Sequence, residues 1–144
     1  MDVKNKRVVV TGAASGIGKA LCEAFHQAEA QSVIAVDINL DGAQETADSV
    51  DGIAVKANVG NEKDIINLIE KADEHVGGID IFCSNAGIGG VPGFFEVKAS
   101  DWQNIWDVNV QSHIFAAKHV LPQMIERGEG YLVNTSSAVG LLTQ

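Results

Sequence analysis

The chain has 144 residues, 46% hydrophobic and 20% charged, a composition typical of one soluble globular domain. Nineteen acidic residues outweigh ten basic ones, and the formal net charge of -9 makes nucleic acid and anionic membrane surfaces poor partners. With no long apolar run, no signal-peptide pattern and no metal-ligand spacing around Cys22 and Cys83, we predict a cytoplasmic protein without a metal and with reduced thiols.

Short β-branched runs alternate with helical patterns along the chain. The predicted elements are, in chain order, a strand at 7–10, a helix at 16–29, a strand at 32–37, a helix at 41–50, a strand at 53–57, a helix at 62–75, a strand at 79–83, a loop at 87–99, a helix at 101–126 with a kink or late break at Pro122, and a strand at 131–135. This alternation predicts an α/β fold with a Rossmann-type, doubly wound parallel sheet and helices on both faces. We expect residues 1–144 to form a single domain.

Two of the helices have a clear apolar side. Ile17, Leu21 and Phe25 recur every four residues in the first, so we expect them on its buried face. The third helix has Ile65, Ile66, Leu68 and Ile69 as its apolar side.

A glycine-rich loop, Thr11-Gly12-Ala13-Ala14-Ser15-Gly16-Ile17-Gly18, connects the first strand to the first helix. Glycines at such positions let the backbone approach a pyrophosphate, and the helix N-terminus offers free N–H groups to it. We therefore predict dinucleotide contacts from Gly12, Ser15, Gly16, Ile17 and Gly18, with the hydroxyls of Ser15 and Thr11 as further donors.

Asp37 ends the second strand, nineteen residues after Gly18. A carboxylate there accepts hydrogen bonds from the adenosine ribose hydroxyls and repels a 2′-phosphate, so it favours NAD over NADP. The alternative is a purely structural Asp that caps the following turn.

The spacing Gly-x-x-x-Gly-x-Gly resembles the signature of the short-chain dehydrogenases/reductases, and further segments fit that family in order. Asn85-Ala86-Gly87, preceded by Ser84, is similar to the family's Asn-Asn-Ala-Gly, which steadies the sheet beside the cofactor. Asn58-Val59 stands where the family has Asp-Val, whose Asp contacts the adenine amino group, a contact that the Asn58 amide oxygen can still make. Asn109 matches the active-site Asn, and the segment 134–140 resembles the one with the catalytic Ser, for which Ser137 fits better than Ser136.

The resemblance implies an NAD-dependent oxidoreductase that transfers a hydride between nicotinamide and a secondary alcohol or ketone, commonly as a homodimer or homotetramer. The family's Tyr-x-x-x-Lys pair, which transfers the proton, has no counterpart in these 144 residues, because the only tyrosine, Tyr131, is followed four residues later by Thr135. We therefore expect a truncated, cleaved or partly observed version of a longer enzyme.

Three alternatives stay open. A non-catalytic dinucleotide-binding module would keep the loop and lack the acid. An interaction module would use an exposed edge strand and the long helix, with contacts from Trp102, Trp106, Ile114 and Phe115, although such a stripe is more often core. A methyltransferase fold also begins with a glycine-rich loop, but the glycine spacing, Asn85-Ala86-Gly87 and the Ser136-Ser137 segment favour the dehydrogenase family.

Overall fold

The computed structural model describes residues 2–89, 93 and 95–138. Its strands are β1 (Arg7–Thr11), β2 (Ser32–Asp37), β3 (Ile53–Lys56), β4 (Ile81–Ser84) and β5 (Tyr131–Asn134). Its helices are α1 (Gly16–Gln27), α2 (Leu40–Ser49), α3 (Glu62–Val76), α4 (Ala99–Trp106) and α5 (Ser112–Arg127), with a π-helical segment, Asp107–Gln111, between the last two.

The five strands form one parallel sheet in the order β3-β2-β1-β4-β5. The chain winds outward from β1 to β3, returns to the other side of β1, and continues through β4 to β5. The predicted α/β class and doubly wound sheet are therefore confirmed. In such sheets ligands bind at the carboxyl ends of the strands where the winding reverses, which here is the crevice between β1 and β4.

Helices cover both faces because β1 alternates its buried side chains between two apolar clusters. Val9 packs on one face with residues of α3 and α5, including Leu68 and Val120. Val8 and Val10 pack on the other face with residues of α1 and α2.

The boundaries differ from the sequence predictions mainly in the second half of the chain. The long helix predicted at 101–126 is interrupted by the π-helical segment. There the backbone hydrogen bonds join residues five apart instead of the four of an α-helix. α5 continues through Pro122 to Arg127 and ends at Gly128, which has a φ of 72°, so the late break predicted at Pro122 was wrong. Strand β4 begins at Ile81 rather than at residue 79, and Asp80, just before it, accepts a hydrogen bond from the side chain of Arg7.

An ion-pair network connects the amino-terminal ends of β1 and β4. The Nη2 atom of Arg7 lies 2.6 Å from Asp80 Oδ1, and its Nε and backbone N–H groups both donate to Asp80 Oδ2, at 2.8 and 2.9 Å. Arg127 Nη2 lies 3.7 Å from the same carboxylate. Only 18% of the Arg7 side chain and 11% of the Asp80 side chain are exposed, and the hydrogen bonds from Arg7 hold the pKa of Asp80 below its usual value.

Both cysteines are free thiols in the core on the α1 side of the sheet. Burial raises the pKa of each thiol to about 12. Cys22 and Cys83 are therefore neutral at physiological pH and act as small apolar residues. Among the described residues, no helix is both long and apolar enough to span a membrane, and no cluster of three metal-ligating side chains occurs.

Candidate functional site

The glycine-rich loop lies at the carboxyl end of β1, between β1 and α1. Gly12 has a φ of 69°, and a Cβ there would lie 2.9 Å from the Cα of Ala86. A Cβ on Gly18 would overlap the carbonyl oxygen of Gly12 and lie 2.9 Å from Asn85 Nδ2. These two glycines therefore allow the loop to pack against α1 and against the segment after β4.

Gly16 has a different reason for being glycine. Its φ is 54°, and a Cβ there would meet nothing within 4 Å. The open space lies at the first residue of α1, where the amide groups of Gly16, Ile17 and Gly18 have no partner within the helix. This is the geometry of a backbone cradle for an anionic group at a helix N-terminus.

Two side chains of the loop differ from the sequence predictions. The Thr11 hydroxyl is buried, donates to the Cys83 carbonyl at 3.2 Å and accepts the N–H groups of Asn85 and Ala86 at 3.0 and 3.1 Å, so it is not available to a phosphate. Ile17 is 67% exposed, so the prediction that it lies on the buried face of α1 was wrong; the buried residues of this helix are Gly18 and Cys22. Ser15 is exposed and its side chain makes no cap hydrogen bond, so its hydroxyl faces solvent beside the cradle.

Asp37, at the end of β2, contacts the glycine-rich loop directly. Its Oδ2 accepts the N–H of Ala14 at 3.0 Å and its Oδ1 accepts the N–H of Asn39 at 2.9 Å. Asp37 therefore does cap the following turn, as the structural alternative predicted. Each carboxylate oxygen has a second lone pair, and Asp37 also lines a cavity of about 230 Å³ together with Gly12.

The same cavity extends to the carboxyl end of β3. Asn58 and Val59 line it opposite Ala86 and Gly87, and Val59 is 7% exposed. The Asn58 Oδ1 atom accepts the N–H of Gly60 at 3.1 Å. The amide oxygen proposed from the sequence as the adenine acceptor thus already has a protein partner.

Asn85 joins three strands at this edge of the sheet. Its Nδ2 donates to the carbonyl of Thr11 at the end of β1 at 3.1 Å, and its Oδ1 accepts the hydroxyl of Thr135 after β5 at 3.0 Å. These hydrogen bonds tie the segment after β4 to β1 and to the segment after β5.

A second cavity, of about 530 Å³, adjoins the first. Asn109 and Ser137, the two candidate catalytic residues, both line it, together with Asn85, Ala86 and Gly87. Asn109 lies in the π-helical segment, and its amide clamps Ile88: Oδ1 accepts the Ile88 N–H and Nδ2 donates to the Ile88 carbonyl, both at 2.8 Å. The predicted site residues therefore converge at the carboxyl end of the sheet, while residues 90–92 and 94 of the predicted loop and 139–140 of the predicted Ser segment lie outside the described residues.

A family model described as short chain dehydrogenase matches residues 6–144. The chain belongs to the short-chain dehydrogenase family. It is 34% identical over 143 residues to glucose 1-dehydrogenase 2 from Bacillus subtilis, covering 94% of this chain and 55% of that protein. It is 34% identical over 146 residues to a 3-oxoacyl-[acyl-carrier-protein] reductase from Thermotoga maritima, covering 98% of this chain and 59% of that protein.

A solved structure of a short-chain type dehydrogenase/reductase from Mycobacterium marinum superposes with a TM-score of 0.89 at 30% identity. The match covers 99% of this chain and 60% of that one, so the chain spans somewhat over half the length of these relatives. Both named relatives are oxidoreductases. Because the chain belongs to this family, the methyltransferase alternative considered from the sequence was wrong.

Sequence reasoning missed His113. His113 lines the same cavity as Asn109, one helical turn further along, and its Nδ1 lies 3.0 Å from Asn134 Oδ1 at the end of β5. The bond links the helix with Asn109 to the strand that leads to Ser137. The only available sequence signal was the four-residue spacing from Asn109, which by itself indicates no function.

Proposed function

We propose that this protein is an NAD-dependent oxidoreductase that transfers a hydride between the nicotinamide ring and a secondary alcohol or ketone. The observation that supports it most is the placement of the Asp37 carboxylate in one cavity with Gly12, beside an open helix N-terminus. That combination suits a dinucleotide with a free 2′-hydroxyl on its adenosine ribose.

The residues of the site fit such a cofactor. The free amides of Gly16, Ile17 and Gly18 would bind the pyrophosphate, and the open space beside Gly16 leaves room for its approach. Asp37 would bind the adenosine ribose. The bound nicotinamide would supply the hydride acceptor or donor.

The second cavity suits the substrate. Ser137 would orient the substrate oxygen, and Asn109 would keep the Ile88 backbone in place beside it. Tyr131 does not fit the role of proton donor. It is the first residue of β5, paired with Ile81, and so lies at the opposite end of the strand from Asn134 and the cavity. The proposal assigns proton transfer to the Tyr-x-x-x-Lys pair that the family resemblance implies.

Turnover is tested by following the absorbance of reduced nicotinamide with a panel of secondary alcohols and ketones. The proposal expects activity with NAD that is lost in Ser137→Ala, in a protein that contains the Tyr-x-x-x-Lys pair. Binding of NAD without turnover by such a protein would favour the non-catalytic alternative.

The cofactor preference has its own test in Asp37→Asn. The amide keeps an acceptor for one backbone N–H and removes the charge that would repel a 2′-phosphate, so we expect the preference for NAD over NADP, measured as a ratio of Kd values, to fall about tenfold. The matched control is Asp41→Asn, which removes an equal charge from the first turn of α2, outside the cavity. An unchanged ratio in Asp37→Asn would contradict the assignment.

Lys56 would favour NADP, in contrast to Asp37. It is the register partner of Asp37 on β3 and lines the adjoining cavity with Ile38 and Asn58. A lysine beside the ribose attracts a 2′-phosphate, so the proposal expects Lys56→Gln to weaken NADP binding further and to leave NAD binding nearly unchanged.

We also propose that the protein works in the cytoplasm as a homodimer or homotetramer, without nucleic acid or membrane as a partner. Trp102, Trp106 and Ile114 are 55%, 53% and 54% exposed along α4 and α5, whereas Phe115 packs against the core. Such aromatic surface is typical of an interface. Fractionation of cells tests the location.

Light scattering tests the assembly. We expect a dimer or tetramer that dissociates in Ile114→Lys, because a charge in an apolar interface is costly. Leu40→Lys on α2, where the side chain is 41% exposed, is the control and should not dissociate. A wild-type monomer at high concentration would contradict the proposal.

A further inference from the structure

Asn58 lies at the carboxyl end of β3, where its backbone N–H and its side chain both make hydrogen bonds. Its backbone N–H donates to Asp64 Oδ2 at 2.9 Å, and its side-chain Oδ1 accepts the N–H of Gly60 at 3.1 Å. A backbone N–H only donates, so the second bond identifies which end of the amide is oxygen. The Nδ2 group therefore lies on the side away from Gly60, and it can only donate.

Asn58 lies in the part of the cavity where the base of the proposed dinucleotide would lie. In a doubly wound sheet the pyrophosphate lies on the helix after β1 and the adenosine ribose lies at the end of β2, so the base extends further, toward β3. The cavity follows that path from Gly12 past Asp37 and Ile38 to Asn58. Asn104, on α4, is the other amide side chain in its wall.

We propose that Asn58 makes this site accept a purine with oxygen at C6, hypoxanthine, as readily as adenine; the inference rests on the proposed function. Adenine presents an amino donor at C6, whereas a 6-oxo purine presents an acceptor there. The Asn58 Nδ2 donor matches the oxygen of hypoxanthine, and the second lone pair of Oδ1 can still accept the amino group of adenine. A carboxylate in this place has acceptors only, so it would accept from the amino group of adenine and repel the oxygen of hypoxanthine.

Calorimetry of the full chain with NAD and with nicotinamide hypoxanthine dinucleotide tests this selectivity. For the wild-type chain we expect Kd values for the two dinucleotides within about threefold of each other. For Asn58→Asp, which keeps an acceptor for the Gly60 N–H, we expect the ratio to move at least about tenfold in favour of NAD. Asn104→Asp is the matched control, since it makes the same chemical change elsewhere in the cavity wall and should leave the ratio within about threefold of wild type.

The outcomes separate the inference from the function on which it rests. A wild-type chain that rejects the hypoxanthine dinucleotide as strongly as Asn58→Asp overturns the inference and leaves NAD binding intact. An equal shift in Asn104→Asp also overturns it, because the selectivity would then follow the charge of the cavity as a whole. Binding of neither dinucleotide by a chain with a native circular dichroism spectrum overturns the proposed function and the inference together.

Discussion

Gly18→Ala is expected to weaken NAD binding about a hundredfold, because the added methyl group cannot fit without moving the loop. It would overlap the Gly12 carbonyl oxygen and approach Asn85 Nδ2 to 2.9 Å. The backbone cannot yield locally, since Gly12 is itself packed against Ala86. Calorimetry with NAD measures the loss.

A second glycine provides the control for this effect. Gly89 lies in the loop after β4, and a Cβ there would meet nothing within 4 Å. Gly89→Ala should therefore bind NAD nearly as well as the wild-type chain. Wild-type affinity in Gly18→Ala would mean that the loop is not the phosphate cradle.

Asp80→Asn is expected to lower the free energy of unfolding by about 3 kcal/mol at neutral pH, because it leaves the largely buried guanidinium of Arg7 without its counter-charge. Urea denaturation measures the change. The control is Lys4→Gln, which breaks the exposed pair with Glu29, whose side chains are 54% and 70% exposed. We expect a loss of less than about 1 kcal/mol for that pair.

The pH dependence supplies a second measure of the same ion pair. The pKa of Asp80 is lowered in the folded chain, chiefly by hydrogen bonds from Arg7. Its contribution to stability is therefore fully present above the unfolded pKa of about 3.9 and is lost as the pH falls through the lower folded value. In Asp80→Asn this part of the acid destabilisation should be absent, and an unchanged acid profile would contradict the role assigned to Asp80.

The order and type of the strands and helices were predictable because each depends on local patterns. Buried parallel strands appear as apolar runs such as 8–10, and the glycine-rich loop marks the first turn between strand and helix. Element ends were less certain. The π-helical hydrogen bonds at 107–111 do not change the spacing of apolar residues, so the sequence did not predict this segment. Pro122 lies inside α5, although proline usually breaks or kinks a helix.

The candidate site was predictable to the extent that single residues mark it. Glycines 12, 16 and 18 and Asp37 stand at fixed places relative to the strands, so their meeting at one edge follows from the topology. The hydrogen bonds did not follow, because they join residues distant in the chain, as Thr11 joins Asn85 and His113 joins Asn134. The sequence also offered the Thr11 hydroxyl and the Asn58 oxygen as ligand groups. In the folded chain the Thr11 hydroxyl bonds to distant residues, whereas the Asn58 oxygen accepts the N–H of Gly60, a local bond that the sequence pattern does not mark.

Isothermal titration of the 144-residue chain with NAD and, separately, with NADP tests the central claim most directly. The glycine-rich loop and the Asp37 carboxylate together predict that NAD binds, with a Kd at least about tenfold below that of NADP. Tighter binding of NADP, or binding of neither by a chain with a native circular dichroism spectrum, would contradict the proposed NAD site.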